Sequence, residues 1–279
     1  NIVSHTHELT GAAIDLKSKF GSTVLGTENV MMAAAVAGGM TTIRHAAQEP
    51  EVVDLAAFLN KMGAKISGAG TPTIKIEGVE SLHGCEHRVI CDRIEAGTFM
   101  TAAAITGGNI LVRGCDPVHM HALIERLEKM GLNIHWENSD IRVQVDQPLR
   151  GTKVVTEPYP GFPTDMQAQV MAVMCLAEKS STVVEKVFPE RFMHTAELVR
   201  MGAKVQISGD TAHIEGVKQL SGAHVMASDL RASAALVVAG LAAQGQTTIH
   251  RVYHIDRGYE NIDEKLRSLG AKIWREKGE

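Results

Sequence analysis

Cysteine pairs, an excess of charge of one sign, and long apolar runs are all missing from this sequence. The four cysteines form no CxxC pair, so reduced cytoplasmic thiols are expected rather than a disulfide scaffold. The 28 basic and 32 acidic residues are mixed along the chain, which indicates no surface for nucleic acid or for a membrane. No run approaches the roughly 18 apolar residues of a membrane-spanning helix. We therefore expect a globular protein with neither a nucleic-acid nor a membrane partner.

A metal centre is not expected either. Cys115, His119 and His121 lie close together in the sequence and superficially suggest one. The two histidines are two residues apart, however, and on a helix they would point away from each other. We predict that Cys115 is a packed thiol and that the protein uses no metal or other cofactor.

Two sequence marks recur four times with a period of about 70 residues. A tetrad of the type MGAK ends at Lys65, Asn133, Lys204 and Lys272, at intervals of 68, 71 and 68 residues. A Leu-x-Gly mark places its glycine at Gly11, Gly84, Gly151 and Gly222, at intervals of 73, 67 and 71 residues. Two interleaved marks with one period indicate a repeated structural unit.

Each repeat predicts a βαβαββ unit. Leu-x-Gly precedes a short β-branched strand, then an alanine-rich helix such as 232–245, then a second strand. A longer helix follows, with apolar residues at helical spacing (Tyr259, Ile262, Leu266 and Leu269 in the last repeat), and the tetrad glycine ends it. Two short strands complete the unit. Residues 1–7 read as the last strand of an earlier unit, so we expect the chain to be a fragment of a longer array.

The junctions between the first strand and the alanine-rich helix carry an acidic residue in every repeat. We place these residues at helix starts: Glu28, Asp92, Asp165 and Asp229. Helix capping is the simplest explanation for any one of them taken alone. At the third junction, FPTDMQAQ (162–169), Thr164 can also cap the helix.

The junctions before the longer helix add further charged residues. Because strand-to-helix loops of α/β proteins converge on one rim, Arg191, Arg231 and Arg257 are predicted to face the same rim as Glu49, Asp165 and Asp229. Arginines at helix N-termini suit phosphate or carboxylate groups, whereas a carboxylate accepts protons or hydroxyl hydrogen bonds. The alternative for each arginine is a surface salt bridge.

Several longer motifs are similar to those of one known family, the UDP-N-acetylglucosamine enolpyruvyl transferases. They occur in order along essentially the whole chain: QEPEVVD (48–54), DRIEAGTF (92–99), FPTDMQAQ (162–169), RFMH (191–194), ASDLRASA (227–234) and YHIDRGYE (253–260). The resemblance implies an α/β fold of repeated βαβαββ units, the inside-out α/β barrel of this family. It also implies transfer of the enolpyruvyl group of phosphoenolpyruvate to the 3′-hydroxyl of UDP-N-acetylglucosamine, with release of phosphate.

The resemblance also implies roles for individual residues. Asp165 would bind and deprotonate the sugar hydroxyl, Arg257 would bind phosphoenolpyruvate, and Val187 would contact the nucleotide sugar. The remaining predicted substrate-binding residues are the uridine segment Ser22, Thr23 and Val24 and the charged residues Glu49, Asp92, Arg191, Asp229 and Arg231. The implied setting is the bacterial cytoplasm and the first committed step of peptidoglycan synthesis, with consequences for cell shape, the cell cycle and division.

The chain departs from the family pattern at its beginning. The family uses an N-terminal Lys-Asn pair and a flexible loop with a catalytic Cys or Asp, all before the region matched here. We therefore expect residues 1–279 alone to be inactive and to need the missing N-terminal segment, or a second copy, as a partner. Residues 1–90 are predicted to form a partial first domain and residues 91–279 the C-terminal domain.

Two rival functions stay open. One is the sister reaction on shikimate 3-phosphate, which shares the fold but not these motifs. The other is a non-catalytic fragment that retains the repeats without the chemistry.

Overall fold

The fold repeats one structural unit along the chain. The computed structural model describes residues 8–276. The first repeat is complete and consists of β1 (Ala13–Asp15), α1 (Val24–Ala34), β2 (Met40–Arg44), α2 (Pro50–Lys61), β3 (Lys65–Ser67) and β4 (Thr73–Glu77). The second consists of α3 (Arg93–Thr106), β5 (Asn109–Val112), α4 (His121–Lys129), β6 (Asn133–Glu137) and β7 (Asp140–Gln144). The predicted strand within residues 1–7 lies outside the described residues.

The later repeats follow the same order. The third consists of β8 (Lys153–Val155), α5 (Gln167–Met174), β9 (Ser180–Val184), α6 (His194–Arg200), β10 (Lys204–Ser208) and β11 (Thr211–Glu215). The fourth consists of β12 (His224–Met226), α7 (Leu230–Ala242), β13 (Thr248–His250) and α8 (Ile262–Ser268). The predicted βαβαββ unit is therefore confirmed in full for the first and third repeats.

The first and third repeats build identical sheets. Their strand orders are β1-β2-β4-β3 and β8-β9-β11-β10, with the first pair parallel and the other pairs antiparallel. The second repeat forms a three-stranded sheet, β5-β7-β6, and the fourth a parallel pair, β12-β13. Within residues 8–276 each sheet is open, and the predicted α/β class is confirmed.

The tetrad glycines end the longer helices, as predicted. Gly63, Gly131, Gly202 and Gly270 all have φ between 94° and 101°, a left-handed conformation that glycine adopts without a steric penalty. At α2 the N–H of Ala64 donates to the carbonyl of Leu59 and that of Gly63 to the carbonyl of Asn60, which is the Schellman arrangement. The recurrence of the tetrad within this chain thus reflects one local backbone geometry, repeated at the end of each longer helix.

The Leu-x-Gly mark has a different cause, close approach of two backbone segments, and in the second repeat Gly84 carries the mark without that approach. A Cβ on Gly11, Gly151 or Gly222 would collide with the backbone of Met40, Ser180 or Gln246, so these glycines permit close backbone approach. Gly84 meets no atom within 4 Å, and the chain between β4 and α3 contains no strand. The first strand predicted for the second repeat is therefore wrong.

The described residues divide into two units by packing. One extends to Ile90 and includes Pro158–Pro160, and the other comprises Cys91–Glu157 and the residues from Gly161 onward. In the second unit α5 buries all its side chains, and α3 and α7 bury most of theirs, against one core. In the first, α1 leaves the apolar side chain of Leu25 71% exposed. Whether the units are independent domains with a boundary near residue 90 stays a prediction.

No helix within residues 8–276 has the length and apolar character to cross a membrane.

Candidate active site

Asp165 lies in a 3₁₀ turn, Thr164–Met166, immediately before α5. Arg191 Nη1 donates to its Oδ1 at 2.7 Å, and Arg231 Nη2 donates to its Oδ2 at 2.8 Å. Arg191 comes from the loop after β9, and Arg231 from the first turn of α7. Three residues predicted to share a rim are thus brought into direct contact, with a guanidinium on each oxygen of one carboxylate.

This cluster is charged. Burial raises the pKa of Asp165, but the adjacent guanidinium groups of Arg231 and Arg191 outweigh burial and hold that pKa below its usual range. Burial likewise opposes the charge of Arg231, and Asp165 more than offsets it, so the pKa of the guanidinium is raised. At neutral pH we therefore expect an ionised Asp165 whose two oxygens already accept strong hydrogen bonds.

Two of the four junction acids cap helices. Asp92 accepts hydrogen bonds from the N–H groups of Ile94 and Glu95 at the start of α3. Asp229 accepts them from Arg231 and Ala232 at the start of α7. The cap on α7 fixes the backbone of Arg231 itself, so Asp229 takes part in placing the guanidinium beside Asp165.

Two predictions about these junctions are wrong. Glu28 is the fifth residue of α1 rather than its start, because the shorter Thr23 caps this helix by accepting from the N–H of Gly26 at 3.2 Å. Thr164 caps no helix, because its hydroxyl is engaged elsewhere. It donates to Glu185 Oε2 at 3.0 Å and accepts from Arg191 Nη1 at 3.1 Å.

Glu185 joins the two loops of the site, and sequence reasoning missed it. The carboxylate is fully buried. Its Oε1 accepts from the hydroxyl of Thr156 at 2.7 Å and from the N–H groups of Val187 and Phe188 at 2.9 Å each. The alternation of a β-strand could have indicated it, since every second residue points to the same face and Ser181, Val183 and Glu185 are all buried. Glu185 thus anchors both the Thr164 turn and the Val187 loop.

The glutamines of FPTDMQAQ are buried around the same cluster. Gln167 Nε2 donates to the backbone carbonyl of Arg191 at 3.4 Å. Gln169 Nε2 donates to the hydroxyl of Tyr259 at 3.3 Å. The sequence pattern places Tyr259 in the last helix. α8 begins at Ile262, so Tyr259 precedes it, and its hydroxyl accepts from Arg231 Nη1 at 3.3 Å. This tyrosine is a second residue that the sequence pattern assigned to the core alone.

Arg257 lies at the end of a 3₁₀ turn, Val252–Arg257, and is exposed. Within residues 8–276 its guanidinium forms no ion pair and no hydrogen bond, so the predicted convergence with Asp165 is not a direct contact. It borders an open cleft of about 680 Å³ whose other charged lining residues are Glu95, Asp256, Glu260, Asp263, Glu264 and Arg275. The lining holds five carboxylates against two arginines, so an anion is favoured only in direct contact with the unpaired Arg257 guanidinium.

The remaining predicted residues belong to the first unit. Thr23 caps α1, Val24 is its first residue, and Ser22 precedes the cap. Glu49 precedes α2 and is 8% exposed, and its Oε2 has no hydrogen-bond partner in the described part of the chain. A buried carboxylate oxygen without a partner is costly in a folded protein.

Cys115 is a packed thiol, as predicted. It is buried and donates to the sulfur of Met120 at 3.4 Å, and contact with the Cys91 thiol together with burial raises its pKa. A raised pKa disfavours the reactive thiolate. Among the described residues, no group of three His, Cys, Asp or Glu side chains is placed to hold a metal ion.

Comparison with known proteins identifies the relatives of this chain. Residues 2–266 match the family model of EPSP synthase (3-phosphoshikimate 1-carboxyvinyltransferase). The UDP-N-acetylglucosamine 1-carboxyvinyltransferase of Methylacidiphilum infernorum is 58% identical over 275 residues, which cover 99% of this chain and 65% of that protein. The enzyme of that name from Anaeromyxobacter sp. is 59% identical over 255 residues, which cover 91% of this chain and 60% of that protein.

Solved structures agree on the fold. The enolpyruvyl transferase NikO from Streptomyces tendae superposes with a TM-score of 0.86 at 27% identity, over 95% of this chain and 65% of that one. EPSP synthase from Acinetobacter baumannii superposes with a TM-score of 0.73 at 21% identity, over 95% and 63%, and shows the fold alone. The chain thus spans 60% to 65% of the length of the two curated relatives given above.

Proposed function

Because the chain belongs to the EPSP synthase family of enolpyruvyl transferases, we propose that it forms part of an enzyme that transfers the enolpyruvyl group of phosphoenolpyruvate to UDP-N-acetylglucosamine. The observation that carries the proposal is Asp165, a partly exposed carboxylate held between two arginines at a strand-to-helix junction. The names of the curated relatives support the acceptor.

In this proposal Asp165 receives the proton of the sugar 3′-hydroxyl. The hydroxyl oxygen forms a bond to C2 of phosphoenolpyruvate while C3 gains a proton from a general acid, which the expected N-terminal segment would supply. A base then removes one proton from C3, and phosphate leaves C2 with the electrons of its C–O bond, which regenerates the double bond. Arg257, which has no ionic partner among the described residues, supplies a cation for the anionic donor. Val187 and the segment Ser22, Thr23 and Val24 are proposed to contact the nucleotide sugar.

The two arginines also offer a way to activate the base. While Arg191 and Arg231 occupy both oxygens, the pKa of Asp165 is low and the carboxylate is a weak base. An anionic substrate that draws either guanidinium away would raise this pKa. We propose that substrate binding thereby strengthens Asp165 as a proton acceptor at the moment the hydroxyl is present.

The sister reaction on shikimate 3-phosphate is the second candidate, because the matching family model carries its name. Relatives at 55% to 59% identity favour UDP-N-acetylglucosamine instead. The proposed setting is peptidoglycan synthesis in the bacterial cytoplasm, with the expected consequences for cell shape and division.

An acceptor assay separates these candidates. Phosphate release from phosphoenolpyruvate would be measured with UDP-N-acetylglucosamine and with shikimate 3-phosphate, for residues 1–279 and for the protein at the full length of its relatives. We expect release only with UDP-N-acetylglucosamine and only from the longer protein. Release with shikimate 3-phosphate would favour the second candidate, and none with either acceptor would favour a non-catalytic protein. Equal turnover by residues 1–279 would contradict the predicted inactivity of this chain alone.

A further inference from the structure

Tyr259 sits at the centre of a buried polar cluster behind the Asp165 site. Its side chain is 1% exposed, although it lies in the irregular segment between the last 3₁₀ turn and α8. The hydroxyl has three partners: Thr98 Oγ1 at 2.9 Å, Gln169 Nε2 at 3.3 Å and Arg231 Nη1 at 3.3 Å. One phenol therefore connects α3, α5 and α7.

The donors and acceptors of this cluster can be assigned by elimination. The hydroxyl of Thr98 donates to the carbonyl of Ile94 at 2.8 Å, so its oxygen accepts from Tyr259. The Tyr259 oxygen is then left with lone pairs, and these accept from Gln169 and from Arg231. Because arginine has donors and no acceptor, a lone pair aimed at Nη1 is the arrangement that Arg231 needs.

The same residue also contacts Arg231 through its ring. The guanidinium carbon lies 5.8 Å from the ring centroid, within the range of a cation–π interaction. Arg231 is thus held on one side by Tyr259 and on the other by Asp165, to which its Nη2 donates at 2.8 Å. A buried tyrosine loses little side-chain entropy in this role because it has few rotatable bonds.

We propose that Tyr259 is a positioning residue, which orients the guanidinium of Arg231 and through it the carboxylate of Asp165. The inference deepens the proposed function, on which its catalytic consequence rests. Its structural part stands independently, because it concerns the protonation of Asp165 in the protein without substrate.

The test compares two tyrosines in one motif. Tyr259→Phe removes the central hydroxyl and keeps the ring. Tyr253→Phe is the matched control, since Tyr253 is exposed and its hydroxyl accepts only from Arg251 among the described residues. The carboxyl carbon of Asp165 would be followed by NMR through an acid titration of residues 1–279, with its signal assigned by Asp165→Asn.

We expect the pKa of Asp165 to rise by about half a unit or more in Tyr259→Phe, since Arg231 is freed to move away. The control should match the unmodified chain. Thr98→Val, which removes the acceptor of the Tyr259 hydroxyl, should shift the pKa in the same direction and provides a second variant if the first folds poorly. An unchanged pKa in folded Tyr259→Phe would overturn the proposal.

Kinetics in the protein at the full length of its relatives give the second readout. Tyr259→Phe should lower kcat roughly tenfold and leave KM for the sugar nucleotide within about twofold, because the lost orientation of Asp165 outweighs the gain in basicity, which is about threefold for half a pKa unit. A merely structural role would lower the melting temperature and leave both the pKa of Asp165 and kcat unchanged. If turnover is absent from every form, the proposed function fails, whereas the NMR titration still decides the role of Tyr259.

Discussion

Two guanidinium groups on one carboxylate determine what Asp165 can do. The pairs with Arg191 and Arg231 are short, and both arginines are themselves held, one by the Thr164 hydroxyl and the other by Tyr259. A carboxylate in this position stays ionised and oriented without any substrate. Preorganisation of this kind is what a group that must accept a proton in one geometry requires.

His194 makes the stability of the second unit depend on pH. It is buried, and burial lowers its pKa to about 4. Because the unfolded chain binds the proton near pH 6.5, stability is complete above that pH and is lost as the pH falls toward 4. The expected slope is at most about 1.4 kcal/mol per pH unit.

His194→Leu is expected to flatten this slope. Urea unfolding at pH 7, 6 and 5 would measure it, with His213→Leu as the control at a site whose side chain faces solvent. If the unmodified chain and His194→Leu lose the same free energy of unfolding between pH 7 and pH 5, His194 is not the group responsible.

At the scale of helices and strands, the tetrad glycines are the best local signal in the chain. Gly202→Ala is expected to destabilise the protein by about 1–2 kcal/mol, because the site has φ of 94° and a Cβ there meets no atom. The cost is therefore backbone strain alone. Thermal or denaturant unfolding measures it.

Gly240→Ala is the matched substitution inside α7. Its Cβ would make only ordinary contact with Thr247 at 3.5 Å, and helix propensity favours alanine by up to about 1 kcal/mol. We expect it to be neutral or stabilising. Equal losses at Gly202 and Gly240 would show that the left-handed backbone is not the cause.

Features that depend on neighbouring residues could be predicted from the sequence, whereas features that depend on distant residues could not. Helix ends at Gly63 and Gly202 depend on a few neighbouring residues, and they were predicted. The missing strand before α3 depends on pairing with a distant strand, which no local pattern around Gly84 reveals. Tyr259 matched an apolar helical spacing, and only the fold shows that its hydroxyl meets Thr98 and Arg231. The contact of Asp165 with two arginines was anticipated as a shared rim, not as a pair of ion pairs.

On the scale of the whole molecule, the two units differ in how completely their helices are buried. Every side chain of α5 is buried, whereas α1 exposes Leu25 and Met32 at 71% and 44%. Helical stability in proteins comes chiefly from packing of the apolar surface. We therefore expect α1 to open more readily than α5.

Amide hydrogen exchange of residues 1–279 tests this expectation. Peptides from α1 should exchange at least about tenfold faster than peptides from α5, which corresponds to a difference of roughly 1.4 kcal/mol in opening free energy. Indistinguishable protection in the two helices would mean that the exposed apolar face of α1 does not weaken it.

The proposed function depends most directly on Asp165, and Asp165→Asn tests it in the protein at the full length of its relatives. The substitution keeps the shape of the side chain and removes its capacity to accept a proton. We predict that the affinity for UDP-N-acetylglucosamine changes by no more than a few fold, while phosphate release from phosphoenolpyruvate falls by roughly 10²-fold or more. Undiminished turnover by this variant would contradict the assignment of Asp165 as the proton acceptor.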